Sequence, residues 1–297
     1  MELLRSLIFV PGNRANMLER ALGFEADVIM VDLEDSVPPR EKVAARQVAS
    51  EWIPRLRQAG QRVMVRANSL DTGLTPDELQ ALISPDLYGI SVGKTESASD
   101  LQEIERLIAP LESSAGVDAG QIKLIPWIES ASAIVNVNEM ATALERTVGI
   151  AFGAEDYTND MGIQRTDEGQ EVYHARCTVA IAARAAGIAS LDSPYVAFRN
   201  HEGLKADAGT ARQMGYTGKF AIHPSQIESI NELFSPLPED VAYARRVMEA
   251  WHEAEANGRG SLSLDDKMVD VPVVKRAQNL LALVYEIEHQ LSSRGRQ

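Results

Sequence analysis

Charged side chains gather in five short segments of this 297-residue chain: Asp32-Leu-Glu34-Asp35, Arg66-Ala-Asn68, Lys94-Thr-Glu96, Glu129-Ser130 and Glu155-Asp156. Carboxylates dominate them, no His-x-x-x-His pair occurs, and the five histidines are scattered. Oxygen-rich sets of this kind suit a hard divalent cation such as magnesium, which takes one or two carboxylates and completes its shell with water and substrate oxygens. Zinc would call for nitrogen or sulfur donors. The competing reading is that the acids pair with Arg66 and Lys94 and hold no metal.

Three of the five segments directly follow a short apolar run, Lys94-Thr-Glu96 comes one residue after one, and Glu155-Asp156 two residues after one. The runs are Leu7–Val10, Val28–Val31, Val63–Val65, Gly89–Val92, Leu124–Ile128, Val148–Phe152, Ile188–Leu191 and Phe220–Ile222. Unbroken apolar runs, as opposed to alternating ones, mark strands buried on both faces. Between them the spacing predicts helices over Arg14–Leu22, Arg40–Ala59, Leu101–Leu111, Ala131–Leu144, Tyr173–Gly187 and Gly203–Gly215. The second of these follows Pro38-Pro39 and stops at Gly60, which is Pro-in, Gly-out punctuation.

Eight strand–helix alternations in about 230 residues predict an α/β fold, a TIM (β/α)8 barrel, over residues 1–235. In such barrels the active site lies at the C-terminal ends of the strands, where the charged segments fall. After the breaker Pro236-Leu-Pro238 the character changes. Helices are expected over Glu239–Ala256 and Pro272–Leu291, with a flexible turn at 257–260 and an extended loop over Ser261–Asp270. Residues 236–297 thus read as a C-terminal helical extension, a lid.

Several function classes drop out. A net charge of −14 argues against a nucleic-acid surface, which neutralises phosphates with Lys and Arg. No Gly-x-Gly-x-x-Gly follows any strand. Gly89-Ile-Ser-Val-Gly93-Lys94-Thr95 has three residues between its glycines where a P-loop needs four, and those three read as strand. Cys177 is the sole cysteine, expected to be buried and inert, so no intrachain disulfide forms. No run approaches the ~18 apolar residues of a membrane span, and Leu7–Val10 is shorter than a signal-peptide core. A cytoplasmic, membrane-free protein is expected.

In order along the chain, Arg5-Ser-Leu-Ile-Phe-Val-Pro-Gly-Asn-Arg14, Val31-Asp-Leu-Glu-Asp-Ser36, Val65-Arg-Ala-Asn68, Ile128-Glu-Ser130 and Gly153-Ala-Glu-Asp-Tyr157 resemble the citrate lyase β-subunit and malyl-CoA lyase family. So do Ala221-Ile-His-Pro-Ser-Gln-Ile227 and Lys267-Met-Val-Asp270. That resemblance implies Mg2+ on Glu129 and Asp156, with Glu129 also at the substrate, and an oxo-acid fragment held by Arg66. It implies coenzyme A contacts from Phe9, Arg14 and Arg20, the last commonly lysine in these lyases. It also implies a homotrimer or hexamer in which Asp270 of one subunit covers a neighbour's site and exchanges a proton with the acetyl carbon. Glu34 and Asp35 would order metal-bound water or position Arg66, with Lys94 and Glu155 in support, although plain structural pairing fits Glu34 and Asp35 equally well. His223 is expected to stabilise its loop.

The function so implied is cleavage of a citramalyl-CoA or malyl-CoA type thioester to acetyl-CoA and pyruvate or glyoxylate. A class II aldolase acting on free oxo-acids is the nearest rival, but such enzymes resemble a Glu-His pattern where this chain has Glu34-Asp35. A citrate lyase β subunit acting on a citryl-carrier protein, an acyl-CoA thioester hydrolase and a non-enzymatic barrel are the other readings.

Overall fold

The computed structural model describes residues 2–166, 168–256, 261–265 and 267–294. Eight parallel strands close into a barrel in sequence order: β1 (Ser6–Pro11), β2 (Val28–Asp32), β3 (Val63–Ala67), β4 (Gly89–Val92), β5 (Lys123–Ile128), β6 (Gly149–Phe152), β7 (Ala189–Asp192) and β8 (Gly218–Ala221). The expected TIM barrel is therefore the observed fold. β1 pairs with both β2 and β8, which closes the ring.

Helices follow as α1 (Ala15–Ala21), α2 (Lys42–Gln58), α3 (Thr75–Leu82), α4 (Ala98–Ala115), α5 (Ala131–Thr142), α6 (Ala154–Asp160), α7 (Gln170–Ala186), α8 (His201–Met214) and α9 (Ile227–Leu233). Three of them lay outside the sequence reading. α3 carries its own start signal, Thr75-Pro76 followed by Asp77 and Glu78 in the first turn. α6 and α9 are each seven residues, too short to show a helical period. α4 begins a turn earlier than its apolar spacing suggests, because Ser97 and Asp100 form a reciprocal capping box.

Side chains alternate across each strand, so two cores form. Leu7, Met30, Met64, Ile125, Trp127, Ala151, Leu191 and Phe220 fill the barrel interior. Their neighbours Ile8, Ile29, Val31, Val63, Val65 and Ile150 pack outward against the helices. That alternation decides the site. It turns Phe9, Asp32, Arg66, Gly93, Glu129 and Gly153 toward the axis, at or just past the strand ends. It turns Asp192 and Lys219 outward, where they are buried with Arg176 of α7 and Asp207 of α8 in a closed ion cluster.

Cys177 on α7 is half-buried, not buried as expected, because the helix turns it to the margin between its packed and exposed faces.

By their internal contacts, residues Met1–Phe234 and Ser235–Gln297 are two compact units. The second holds α10 (Pro238–Ala256), a hairpin of β9 (Leu262–Leu264) and β10 (Lys267–Val269), and α11 (Val271–Arg294). Where the sequence suggested an extended loop, the two short strands pair antiparallel. Val247, Val269, Val274 and Ala277 give this unit a small core of its own. The turn expected at 257–260 lies outside the described residues. No described helix is long and apolar enough to cross a membrane.

Candidate active site

The rim of the barrel is organised around one guanidinium. Arg66 at the top of β3 is in register with Asp32 at the top of β2. Its Nε and Nη2 donate to the two oxygens of Asp32 at 2.8 and 2.7 Å, a bidentate fork. Nη1 donates to Asp35 at 2.9 Å and lies 3.1 Å from Glu34. One Nη2 N–H is left over for a ligand oxygen. Burial opposes the charge on Arg66, but Asp32, Glu34 and Asp35 outweigh it and hold the group fully protonated. Beneath it, Phe9 lies 4.5 Å from the guanidinium carbon and stacks on Trp127 and Phe220. Phe9 is thus part of an aromatic floor inside the barrel mouth.

Asp32, given no separate role by the sequence, is the anchor of the site. It accepts from the amides of Glu34 and Ser36 as well as from Arg66. Burial raises its pKa, but Arg66 and these amides bring it below the usual carboxylate value. Lys42 was passed over in the sequence. Its ammonium donates to the carbonyls of Leu33 and Glu34 and to Asn68 Oδ1, at 2.6–2.8 Å, and so ties the loop after β2 to the loop after β3. Its signal in the sequence was weak, a lysine at the start of an amphipathic helix.

Glu129 follows β5 and is nine-tenths buried or more. Its Oε1 accepts from the backbone N–H of Lys94 at 2.6 Å. The inward positions beside it, just past the ends of β4 and β6, are both glycine. A Cβ on Gly93 would come within 2.9 Å of Glu129 Oε1 and 3.0 Å of Glu34 Oε1, and a Cβ on Gly153 would overlap the Glu129 side chain. The two glycines therefore open the space that the carboxylates occupy. Burial pushes Glu129 up to about 8, and Asp156 and Glu34 add to this, while the Lys94 N–H opposes it. Glu34 is pushed to about 7, by burial first, with Arg66 opposing and Asp35 and Asp32 adding. Asp156 is also raised, by burial and then by Asp35.

Asp156 and Glu155 belong to the first turn of α6, not to the end of β6. The turn separates them. Asp156 is half-buried and close enough to Glu129 to raise its pKa, whereas Glu155 is exposed, 3.8 Å from Arg165. Expected support from Glu155 therefore has no counterpart in this geometry. Lys94 has a left-handed backbone, φ 53°, and its Nζ lies 4.0 Å from Glu34 Oε1. Such a conformation costs a non-glycine residue about 1–3 kcal/mol.

The donor set fits a hard cation. Glu34 and Asp156 are carboxylates near enough to Glu129 to raise its pKa, and Glu34 Oε1 is buried without a hydrogen-bond partner. Among the described residues no three His, Cys, Asp or Glu side chains converge tightly enough to enclose a metal. Magnesium does not need them to, because two carboxylates and several waters complete its octahedron. Glu129 and Asp156 could supply that pair.

Arg14 immediately precedes α1 and Arg20 lies in its last turn, both exposed. His223 does stabilise its loop: Nδ1 accepts from the Ser225 amide at 3.2 Å and the ring stacks on Phe198. Asp270 precedes α11, and its Oδ1 accepts from the Val273 amide at 3.3 Å, an N-cap.

Residues 5–224 match the family described as HpcH/HpaI aldolase/citrate lyase. The chain is 39% identical to the citrate lyase subunit beta of Haemophilus influenzae over 281 residues, 95% of this chain and 97% of that one. It is 32% identical to a (3S)-malyl-CoA thioesterase of Cereibacter sphaeroides, covering 94% and 93%. A solved structure of protein CitE from Mycobacterium tuberculosis, in complex with magnesium, acetoacetate and coenzyme A, is similar with a TM-score of 0.72 and 30% identity, covering 93% and 96%.

Proposed function

This chain belongs to the HpcH/HpaI aldolase/citrate lyase family, and from that premise we propose that it is a Mg2+-dependent carbon–carbon lyase of a 3-hydroxy-3-carboxyacyl thioester, of the citramalyl-CoA or malyl-CoA type. The observation that carries the reading is Glu129, a buried carboxylate between two glycines, with Asp156 and Glu34 within its electrostatic reach.

Glu129 and Asp156 would hold the metal. When bound, Mg2+ supplies Lewis-acid polarisation of the hydroxyl and carboxylate oxygens of the oxo-acid portion. The chain does the rest. Arg66, fixed by Asp32, directs its spare N–H at an oxygen on which negative charge develops, and Phe9 with Trp127 keeps water from its lower face. As the carbon–carbon bond breaks, the hydroxyl gives up its proton to solvent, from which Asp270 is reprotonated after each turnover, and becomes the carbonyl of pyruvate or glyoxylate. The electron pair passes to the thioester, and Asp270 donates a proton to the acetyl carbon; in condensation it removes one. Arg14 and Arg20, both exposed beyond β1, would meet the phosphates of coenzyme A. Asp270 would come from a neighbouring subunit of a homotrimer or hexamer.

A second reading has its own support. The 39% identical relative is a citrate lyase subunit beta, so a citryl group on an acyl-carrier protein is the competing substrate. Both readings are tested by assaying the purified protein with malyl-CoA, citramalyl-CoA and a citryl-carrier protein, with and without EDTA. Turnover of a CoA thioester that stops in chelator is the expected result. Turnover only on the carrier would favour the subunit reading, and undiminished turnover in excess chelator would remove the metal from the mechanism.

A further inference from the structure

Lys94 is one of two non-glycine residues with positive φ among the described residues. The other, Asp265, has a short polar side chain of the kind that tolerates this region. Lysine has no such compensation. The backbone duty at this position is to deliver an N–H to Glu129 Oε1, and a glycine would perform it without strain. What glycine could not supply is the ammonium. Strain retained at a functional site, where a relaxed residue would serve the backbone equally well, points to the side chain.

That ammonium is uncommitted in a way the buried and half-buried Lys219 and Lys42 are not. Lys42 is fastened by three acceptors, and Lys219 is buried between Asp192 and Asp207. The Lys94 side chain is 51% exposed, and its ion pair with Glu34 is 4.0 Å long, beyond hydrogen-bond distance. Glu34 Oε1 likewise has no hydrogen-bond partner. So a cation with three free donors stands at the mouth of the carboxylate cluster, just past the end of the strand next to that of Arg66.

We infer that Lys94 is a substrate-binding residue: its ammonium takes an anionic oxygen of the oxo-acid, on the wall adjoining Arg66, and the left-handed backbone is kept to place it there. Arg66 has one N–H to offer, because Asp32, Asp35 and Glu34 engage the rest. An oxo-acid entering a rim lined by five carboxylates, Asp32, Glu34, Asp35, Glu129 and Asp156, needs a second positive contact from the chain. This inference rests on the lyase reading above.

The test compares the wild type with Lys94→Gly, Lys94→Ala and Lys94→Arg. Mg2+ is titrated calorimetrically into each, then pyruvate, glyoxylate and oxaloacetate into the Mg2+-loaded protein, and melting temperatures are recorded. Lys94→Gly should melt no lower than the wild type, since strain is released, and should bind Mg2+ no more weakly, since a nearby cation is gone. Its affinity for the preferred oxo-acid should fall about tenfold or more, the scale of a lost charge-assisted hydrogen bond. Lys94→Ala should share the lost affinity but melt below Lys94→Gly, and Lys94→Arg should recover part of the binding. Oxo-acid affinity in Lys94→Gly within about twofold of the wild type would overturn the inference while leaving the lyase reading intact. A joint loss of Mg2+ and oxo-acid binding in Lys94→Gly would also overturn it, by making the lysine a support of the metal carboxylates. A wild type that takes up neither Mg2+ nor any oxo-acid would sink the lyase reading and this inference with it.

Discussion

Glu129 is held where a carboxylate ionises reluctantly, and this sets a pH dependence whose sign can be worked out. In the metal-free protein it keeps its proton to about 8, against an ordinary value of 4.5. The folded chain therefore holds a proton that the unfolded chain releases between those values, so metal-free stability declines as pH rises through that window. A cation reverses the balance, because it binds the ionised form and expels the proton. Mg2+ affinity should climb from pH 6 and level off above about 8, with proton release seen as a buffer-dependent heat. Flat affinity across that range would mean that Glu129 is not a ligand. Glu129→Gln should abolish the climb along with tight binding. At Arg66, substitution by lysine keeps the charge but loses the fork onto Asp32. Turnover of the preferred thioester should fall on the order of 10²-fold, the scale of one lost oxyanion donor, with Mg2+ affinity little changed.

At the scale of elements, strand ends were legible and side-chain partnerships were not. Apolar runs mark β1 to β8 because a parallel barrel buries both faces of each strand. The same runs put Arg66, Lys94 and Glu129 at the C-terminal rim, and the ring order follows from sequence order. What stayed hidden was which neighbour each charge chooses. Asp32 and Glu34 are two residues apart, yet Asp32 locks Arg66 and Glu34 leaves one oxygen unpaired. Nor did spacing show that Asp156 lies in the first turn of a short helix that turns Glu155 away. The glycines were in plain view, but their meaning depends on flanking Glu129 from just past the ends of β4 and β6. Gly153→Ala should accordingly displace Glu129 and weaken Mg2+ binding, with only a modest drop in melting temperature; unchanged affinity would show that the cradle yields. The outward cluster behaves oppositely. Lys219→Met strands Asp192 and Asp207 without their ammonium and should cost about 3–5 kcal/mol in urea unfolding, a loss of stability rather than of metal affinity.

For the whole molecule the issue is where Asp270 acts. Its carboxylate caps α11, so Asp270→Ala would mix a lost cap, about 1 kcal/mol, with any lost chemistry. Asp270→Asn separates the two, because an amide oxygen still accepts from Val273 while no proton can be exchanged. A protein that keeps its melting temperature and Mg2+ affinity but loses turnover is the expected outcome. If the aspartate is lent across an oligomer, the defect should also be mendable. Glu129→Gln and Asp270→Asn chains, each inactive alone, should regain activity when refolded or co-expressed together. A productive site then joins an intact barrel, carried by half the chains, to an intact Asp270, carried by the other half, so about a quarter of wild-type turnover should return with random mixing. Were Asp270 to serve the barrel of its own chain, every site would lack one of the two groups. In that case the mixture would stay inactive at any ratio, although the subunits still assembled.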